Sequence, residues 1–78
     1  MIVMTRTLED CRIELLKQMD TYVRETIGDD EITELWLEEG LPDGYTQADL
    51  MEIALDDEIW FWMVDAFRRC CNLEKKLK

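Results

Sequence analysis

The chain has 78 residues, 47% of them hydrophobic, and its 19 acidic and 9 basic residues give a formal net charge of −10. This apolar content excludes a disordered chain, and the length is that of a single domain with a small core. Cys11, Cys70 and Cys71 have neither the even count of a disulfide framework nor the spacing of a zinc site, so we expect reduced thiols. The longest apolar run, Ile59 to Val64, is far shorter than the roughly 20 residues that span a bilayer. No signal peptide is visible, and we expect a cytoplasmic protein without a membrane span.

The first predicted helix begins after Thr7. Thr7 and Asp10 fit a variant of the capping box, in which both side chains accept hydrogen bonds from backbone N–H groups. Gly28 is expected to end this helix, because glycine can adopt a positive φ. Between them runs an apolar stripe at helical spacing, with Asp20 and Arg24 outside it. The stripe consists of Leu8, Cys11, Leu15, Leu16, Met19, Tyr22, Val23 and Ile27.

A second helix is predicted from the acids at positions 29–31, which suit the positive end of the helix dipole, to Gly40. Pro42 prevents its continuation and favours a tight turn before Thr46. Its inner face is expected to hold Ile32, Leu35 and Trp36.

The third predicted helix begins at a second capping pattern, Thr46 to Asp49, and should turn Leu50, Met51 and Ala54 inward, with Ile53 and Leu55 as further candidates. A fourth helix should begin at Asp56-Asp57 and run to about Leu73, with Trp60, Met63, Val64, Phe67 and Cys71 on one stripe. The alternative is one continuous helix bent near Asp56. The sequence therefore predicts an all-α protein, a small compact bundle of about four helices, with residues 1–78 as a single helical domain.

Charge is segregated along the chain. No lysine or arginine lies between Arg24 and Arg68, and residues 29–58 contain twelve acids. Helix starts and a solvated surface account for part of this pattern. Glu38 and Glu39, however, fall at the C-terminal end of their helix, where the dipole disfavours negative charge. An acidic block without basic neighbours also accepts repulsion that scattered lysines would relieve. The pattern favours a role in binding.

The chemistry of the partner follows by exclusion. The acidic block lacks the ligand spacing of an EF-hand, and the net charge repels nucleic acid itself. A protein with a basic groove remains, and the commonest such grooves bind DNA or RNA. We therefore expect a nucleic-acid mimic of phage or mobile-element origin, an anti-restriction or anti-CRISPR inhibitor that blocks the cleft of a nuclease, restriction enzyme or CRISPR effector. Its expected contact residues are Glu34, Glu38, Glu39, Asp43, Asp49, Glu52 and Asp56.

The aromatic residues Trp60, Phe61 and Trp62 are consecutive, so they spread over about 200° of a helix surface. Trp62 is either covered by the other helices or exposed. If it is exposed, an alternative function follows: a small homodimeric or adaptor-type protein–protein interaction module, with Phe61 and Trp62 at an aromatic helix interface.

An enzyme is not expected. The chain has neither histidine nor serine, which removes the commonest general base and the commonest hydroxyl nucleophile. The three glycines are dispersed and form no phosphate-binding loop. We therefore predict no catalytic residue, no metal site and no cofactor.

Overall fold

The computed structural model describes residues 7–77, which form four α-helices and no strand. The prediction of an all-α bundle is confirmed. The α2 helix packs chiefly against α4, and α1 against α3, which also contacts α4. The helices are α1 (Leu8–Thr21, continued by a π-helical turn over Tyr22–Ile27), α2 (Asp30–Glu39), α3 (Gln47–Leu55) and α4 (Asp57–Leu77).

Side-chain caps start the helices where the sequence predicts them. The Thr7 hydroxyl accepts from the Asp10 backbone N–H at 3.1 Å, and the Asp10 carboxylate accepts from the Thr7 N–H at 3.4 Å. Thr46 and Asp49 form the same reciprocal pair at the start of α3. Asp29 caps α2 by accepting from two backbone N–H groups. These bonds satisfy donors that a helix start leaves without an intrahelical partner.

Asp56 separates α3 from α4, which excludes the continuous bent helix. Its backbone is extended (φ −109°, ψ 114°), and its carboxylate accepts from the N–H groups of Glu58 and Ile59 at 2.9 and 3.2 Å. The α4 helix extends to Leu77, four residues beyond the predicted end near Leu73. No glycine or proline interrupts this stretch, and Lys75 and Lys76 favour the negative end of the helix dipole.

The apolar stripe predicted for the first helix is partly wrong. Leu8 and Leu15 are 60% and 47% exposed, and Cys11 is exposed as well. Ile13, which the stripe omitted, is buried together with Leu16. The face of α1 that packs against α3 is therefore rotated away from Leu8 and Leu15.

The C-terminal end of the first helix is π-helical. The Gly28 N–H donates to the Val23 carbonyl oxygen at 3.2 Å, and Gly28 ends the helix with φ 64°, a conformation that glycine adopts without steric cost. The predicted end at Gly28 is confirmed, but the widened turn carries no simple sequence signal. Val23, within it, is fully buried.

The core lies between all four helices, with Trp36 of α2 completely buried. The Phe67 ring packs edge-on against the rings of Trp36 and Tyr22, with centroid separations of 6.1 Å and 5.9 Å, a geometry that aromatic pairs favour. In α3, Leu50 and Ala54 are buried as predicted, whereas Met51 is 38% exposed. The buried apolar residues are Ile13, Leu16, Met19, Val23, Ile32, Trp36, Leu41, Leu50, Ile53, Ala54, Trp60, Met63, Ala66 and Cys70.

Candidate protein-binding surface

The outer side of α2 carries an acidic stripe. Because Ile32 and Trp36 face the core, residues on the opposite side of the helix face solvent. Helical geometry places four exposed carboxylates within a sector of about 100° and along about 12 Å of the helix axis. We call this surface the α2 stripe, and it consists of Asp30, Glu31, Glu34 and Glu38.

The α2 stripe has no basic partner among residues 7–77. The ion pairs in this part of the chain all involve other carboxylates. Glu34 stands four residues from both Asp30 and Glu38, a spacing at which like charges destabilise a helix by about 0.2–0.5 kcal/mol per pair. The helix dipole favours Asp30 and Glu31 at the start of α2, so Glu34 and Glu38 are the stripe residues that a purely structural role does not explain.

Several of the other predicted contact residues take part in the fold. Asp43 forms an ion pair with Arg24, and Glu39 forms one with Arg69, whose Nη1 lies 2.7 Å from a Glu39 carboxylate oxygen. This contact raises the pKa of the Arg69 guanidinium above its ordinary value. Arg12 pairs with Asp57 in the same way, at 2.7 Å, so basic residues outside the acidic block fold back onto it at three positions.

The predicted contact residues therefore fall into two groups. The first group takes part in the fold: Asp49 and Asp56 cap helices through their carboxylates, and Asp43 and Glu39 form ion pairs. Among the described residues, no ion pair holds Glu34, Glu38 or Glu52, and all three are exposed. These three carboxylates are the ones most available to another molecule.

Four of the predicted residues come together at one groove, with a volume of about 320 Å³, between the α2–α3 loop, α3 and α4. Glu39, Asp49, Glu52 and Trp62 belong to its lining. We call it the Trp62 groove. Its full lining is Glu39, Gly40, Leu41, Pro42, Asp49, Glu52, Ile53, Ile59, Trp62 and Met63.

The exposure of Trp62 decides between the two alternatives left open by the sequence. Its side chain is 64% exposed, so the other helices do not cover it. Phe61 is equally exposed but does not line the Trp62 groove. Consecutive residues in a helix point about 100° apart, so Phe61 and Trp62 face different directions.

Sequence reasoning missed a buried polar network that supports the groove. Asp20 lies outside the predicted apolar stripe of the first helix, yet it is only 7% exposed. Its Oδ1 accepts from Arg24 Nε at 2.6 Å and from Trp36 Nε1 at 2.9 Å, and its Oδ2 accepts from the Tyr45 hydroxyl at 3.2 Å. The one available signal was the spacing of Asp20 and Arg24, four residues apart on a helix.

This Asp20 network fixes the loop that forms one wall of the groove. Arg24 also donates to the Leu41 carbonyl oxygen at 3.4 Å and pairs with Asp43 in the same loop. The hydrogen bond with Asp20 is the main cause that raises the pKa of Arg24, and burial is the main cause that raises the pKa of Tyr45. The guanidinium therefore stays charged and holds the loop against the first helix.

Residues 7–77 contain no group of three histidine, cysteine or acidic side chains placed to hold a metal ion. Burial raises the pKa of Cys70 to about 11 and raises that of Cys71 as well. Both thiols are therefore protonated near neutral pH, and a thiol is a much weaker nucleophile than a thiolate.

Among residues 7–77, none of the helices combines the length and apolar character required to cross a bilayer. No protein-family model, curated protein or solved structure matches this chain.

Proposed function

We propose that this protein is a non-catalytic inhibitor that mimics nucleic acid and occupies the basic cleft of a nuclease, restriction enzyme or CRISPR effector in the cytoplasm. The observation that carries the proposal is the α2 stripe, with four exposed carboxylates and no described basic partner. Its charges follow the helix axis at about one per 4 Å. One strand of DNA carries about one charge per 3.4 Å.

Rigidity is a further reason to favour the α2 stripe as the contact surface. Asp29 caps the start of α2, and the inner face of the helix is fixed by the fully buried Ile32 and Trp36. A helix backbone that is already ordered before binding loses less conformational entropy when a partner contacts its side chains. A preorganised acidic surface of this kind suits a competitor of nucleic acid.

The test is displacement of labelled DNA or RNA from candidate basic effectors. The variant Asp30→Asn/Glu34→Gln/Glu38→Gln removes three charges from the α2 stripe. The matched control Glu9→Gln/Glu25→Gln/Glu58→Gln removes three charges from the first helix and α4. We expect the stripe variant to inhibit about tenfold more weakly than the control, with an effect that fades as salt rises.

Two outcomes contradict this proposal. Equal inhibition by the two variants would show that only net charge matters, and that the α2 stripe is not the contact surface. If none of these effectors releases nucleic acid at low salt, the protein is not a competitor of this kind.

A second candidate function, a homodimeric or adaptor-type module, is supported by the aromatic exposure of α4. Phe61 and Trp62 are each 64% exposed, and aromatic side chains are enriched at protein interfaces. Sedimentation velocity across micromolar concentrations, with wild type, Phe61→Ala and Trp62→Ala, tests it. A homodimer predicts concentration-dependent association that the substitutions weaken, and a monomer throughout rules the homodimer out.

A further inference from the structure

The Trp62 groove combines an apolar floor with an exposed aromatic wall. Leu41, Ile53 and Met63 are buried core residues that form part of its lining, and Ile59 is partly buried beside them. Trp62, 64% exposed, belongs to the same lining. A ligand in the groove would therefore contact both an apolar surface and the face or edge of an indole.

The negative charge of the groove lining favours a positively charged ligand. The groove is lined by Glu39, Asp49 and Glu52, and no lysine or arginine belongs to the lining. Arg69 already pairs with Glu39, and Asp49 accepts from the Thr46 N–H at 2.8 Å. Glu52 has no ion pair among the described residues, so it is the carboxylate with the most capacity to bind a cation.

An arginine fits this combination better than a lysine does. Its guanidinium is planar and weakly hydrated, stacks on an indole ring, and can donate two parallel hydrogen bonds to one carboxylate. The lysine ammonium is a compact, strongly hydrated charge that lacks this flat surface. An apolar residue beside the arginine would cover the floor of the groove.

Relying on the proposed function for a basic partner protein, we propose that the Trp62 groove binds an arginine side chain, with an adjacent apolar side chain, from an extended segment of that partner. The guanidinium stacks on Trp62 and pairs with Glu52, and the apolar side chain lies against the groove floor. The α2 stripe and the Trp62 groove then have different tasks. The stripe attracts the basic surface, and the groove recognises one residue of it.

The experiment uses the full chain and a synthetic probe, the peptide acetyl-Gly-Leu-Arg-Leu-Gly-amide. A matched peptide carries citrulline, the neutral isostere of arginine, and another carries lysine. Titrations are followed by the ¹H–¹⁵N resonances of the three tryptophan indoles and of the backbone. We expect saturable shifts at Trp62 and around Glu52, little change at the buried Trp36, and binding of the citrulline peptide about tenfold weaker. The lysine peptide should fall between the two.

Variants locate the site. Glu52→Gln and Trp62→Leu should each weaken binding of the arginine peptide about two- to fivefold. Glu25→Gln, an exposed residue outside both the α2 stripe and the Trp62 groove, should leave this affinity unchanged. Far-UV circular dichroism checks the folding of each variant. If Trp62→Leu unfolds, the comparison of Glu52→Gln with Glu25→Gln still decides the question.

Three results would overturn the assignment: equal affinity for the arginine and citrulline peptides, an equal loss in Glu25→Gln and Glu52→Gln, or Trp62 shifts that grow with protein concentration without peptide. The last result would assign the groove to a second copy of this chain.

The assays also separate this assignment from the proposed function. If the stripe variant loses the displacement of nucleic acid but the wild-type protein does not bind the peptide, only the groove assignment is overturned. Arginine-specific peptide binding without displacement of nucleic acid overturns the nucleic-acid mimic alone.

Discussion

The indole N–H of Trp36 donates to Asp20 Oδ1 at 2.9 Å, and this buried bond joins the centre of α2 to the C-terminal end of α1. Asp20 is the one charged residue among the buried residues of the described chain. Its oxygens also accept from Arg24 and Tyr45, so the charge is compensated and both oxygens are hydrogen-bonded. A buried carboxylate is tolerated under these conditions, because its pairing offsets the loss of hydration.

Replacing Asp20 should destabilise the fold strongly. Asp20→Ala leaves the Trp36 N–H without its acceptor and removes the buried partner of Arg24. We expect a decrease of about 3 kcal/mol in the free energy of unfolding, measured by urea denaturation. The control Glu34→Ala removes an exposed acid from α2 and should change stability by less than about 0.5 kcal/mol. Similar midpoints for the two variants would contradict a structural role for the Asp20 network.

Gly40 should be intolerant of a side chain for steric reasons. A Cβ atom at this position would lie 2.5 Å from Trp36 Cε3 and 2.7 Å from the Trp36 carbonyl oxygen. We expect Gly40→Ala to lower the free energy of unfolding by about 1–3 kcal/mol, because both neighbouring groups are fixed by the core.

Gly44→Ala is the matched comparison for Gly40→Ala. A Cβ atom added at Gly44 would have no other atom within 4 Å, but the residue has φ 72°. Alanine at this position therefore adds only backbone strain, of about 1 kcal/mol. Thermal denaturation of the two variants measures the difference. A larger loss at Gly44 than at Gly40 would show that the α2–α3 loop can move away from Trp36.

Local signals predicted the helices well because the caps depend on neighbours in sequence. Thr7, Asp29, Thr46 and Asp56 each accept from backbone N–H groups two or three residues ahead, a pattern that can be read without tertiary structure. The end at Gly28 is local in the same sense, since it depends on a single positive φ.

The side chains that each helix buries were harder to predict. Two overlapping apolar stripes are possible on α1, one through Leu8 and Leu15 and another through Ile13 and Leu16. Packing against α3 buries the second. Asp20 falls on this second stripe, and its burial depends on donors from Trp36 and from a loop distant in sequence. Periodicity in a single helix shows neither which stripe packs against another helix nor which donors reach a carboxylate.

The same limit applies to the candidate site. Exposure of Glu34, Glu38 and Glu52 agrees with the sequence expectation, and the segregation of charge along the chain was visible from the start. The ion pairs of Asp43 with Arg24 and of Glu39 with Arg69 join residues 19 and 30 positions apart, so they required the fold. The sequence also points to Trp62 but does not place it in one groove with Glu52.

Charge reversal at Glu38 and Glu39 should have opposite effects on stability. Glu38→Lys replaces an exposed acid near the negative end of α2 and creates a favourable Glu34–lysine pair, so a gain of about 0.3–1 kcal/mol is expected. Glu39→Lys removes one of the two carboxylates that pair with Arg69, the other being Asp65, and brings a second positive charge close to it. We expect Glu39→Lys to be the less stable of the two variants in urea denaturation. Equal stabilities would mean that the Glu39–Arg69 pair contributes nothing in solution.

Cys70 should make stability decrease in alkaline solution. Burial raises the pKa of its thiol from 9.0 to about 11 in the folded protein, where the thiol also lies 3.8 Å from the Ile32 carbonyl oxygen. Below about pH 9 the thiol is protonated in both the folded and the unfolded chain, so it adds no pH dependence. Between about pH 9 and 11 the unfolded chain loses this proton while the folded chain retains it. Stability therefore falls as pH rises through this range, by about 1–2 kcal/mol from this group.

Comparison with Cys70→Ala isolates this contribution from other alkaline titrations. Tyr45 also has a raised pKa and gives a decrease of the same sign, but it is present in both proteins. The variant should be less stable than wild type at neutral pH, because truncation leaves a cavity in the core. Urea denaturation at about pH 8 and about pH 10 should show that this difference in stability becomes smaller as pH rises. Only the wild-type protein contains the Cys70 thiol, whose ionisation in the unfolded chain lowers the free energy of unfolding. A difference that stays constant with pH would mean that the Cys70 thiol ionises equally easily in the folded and unfolded chains.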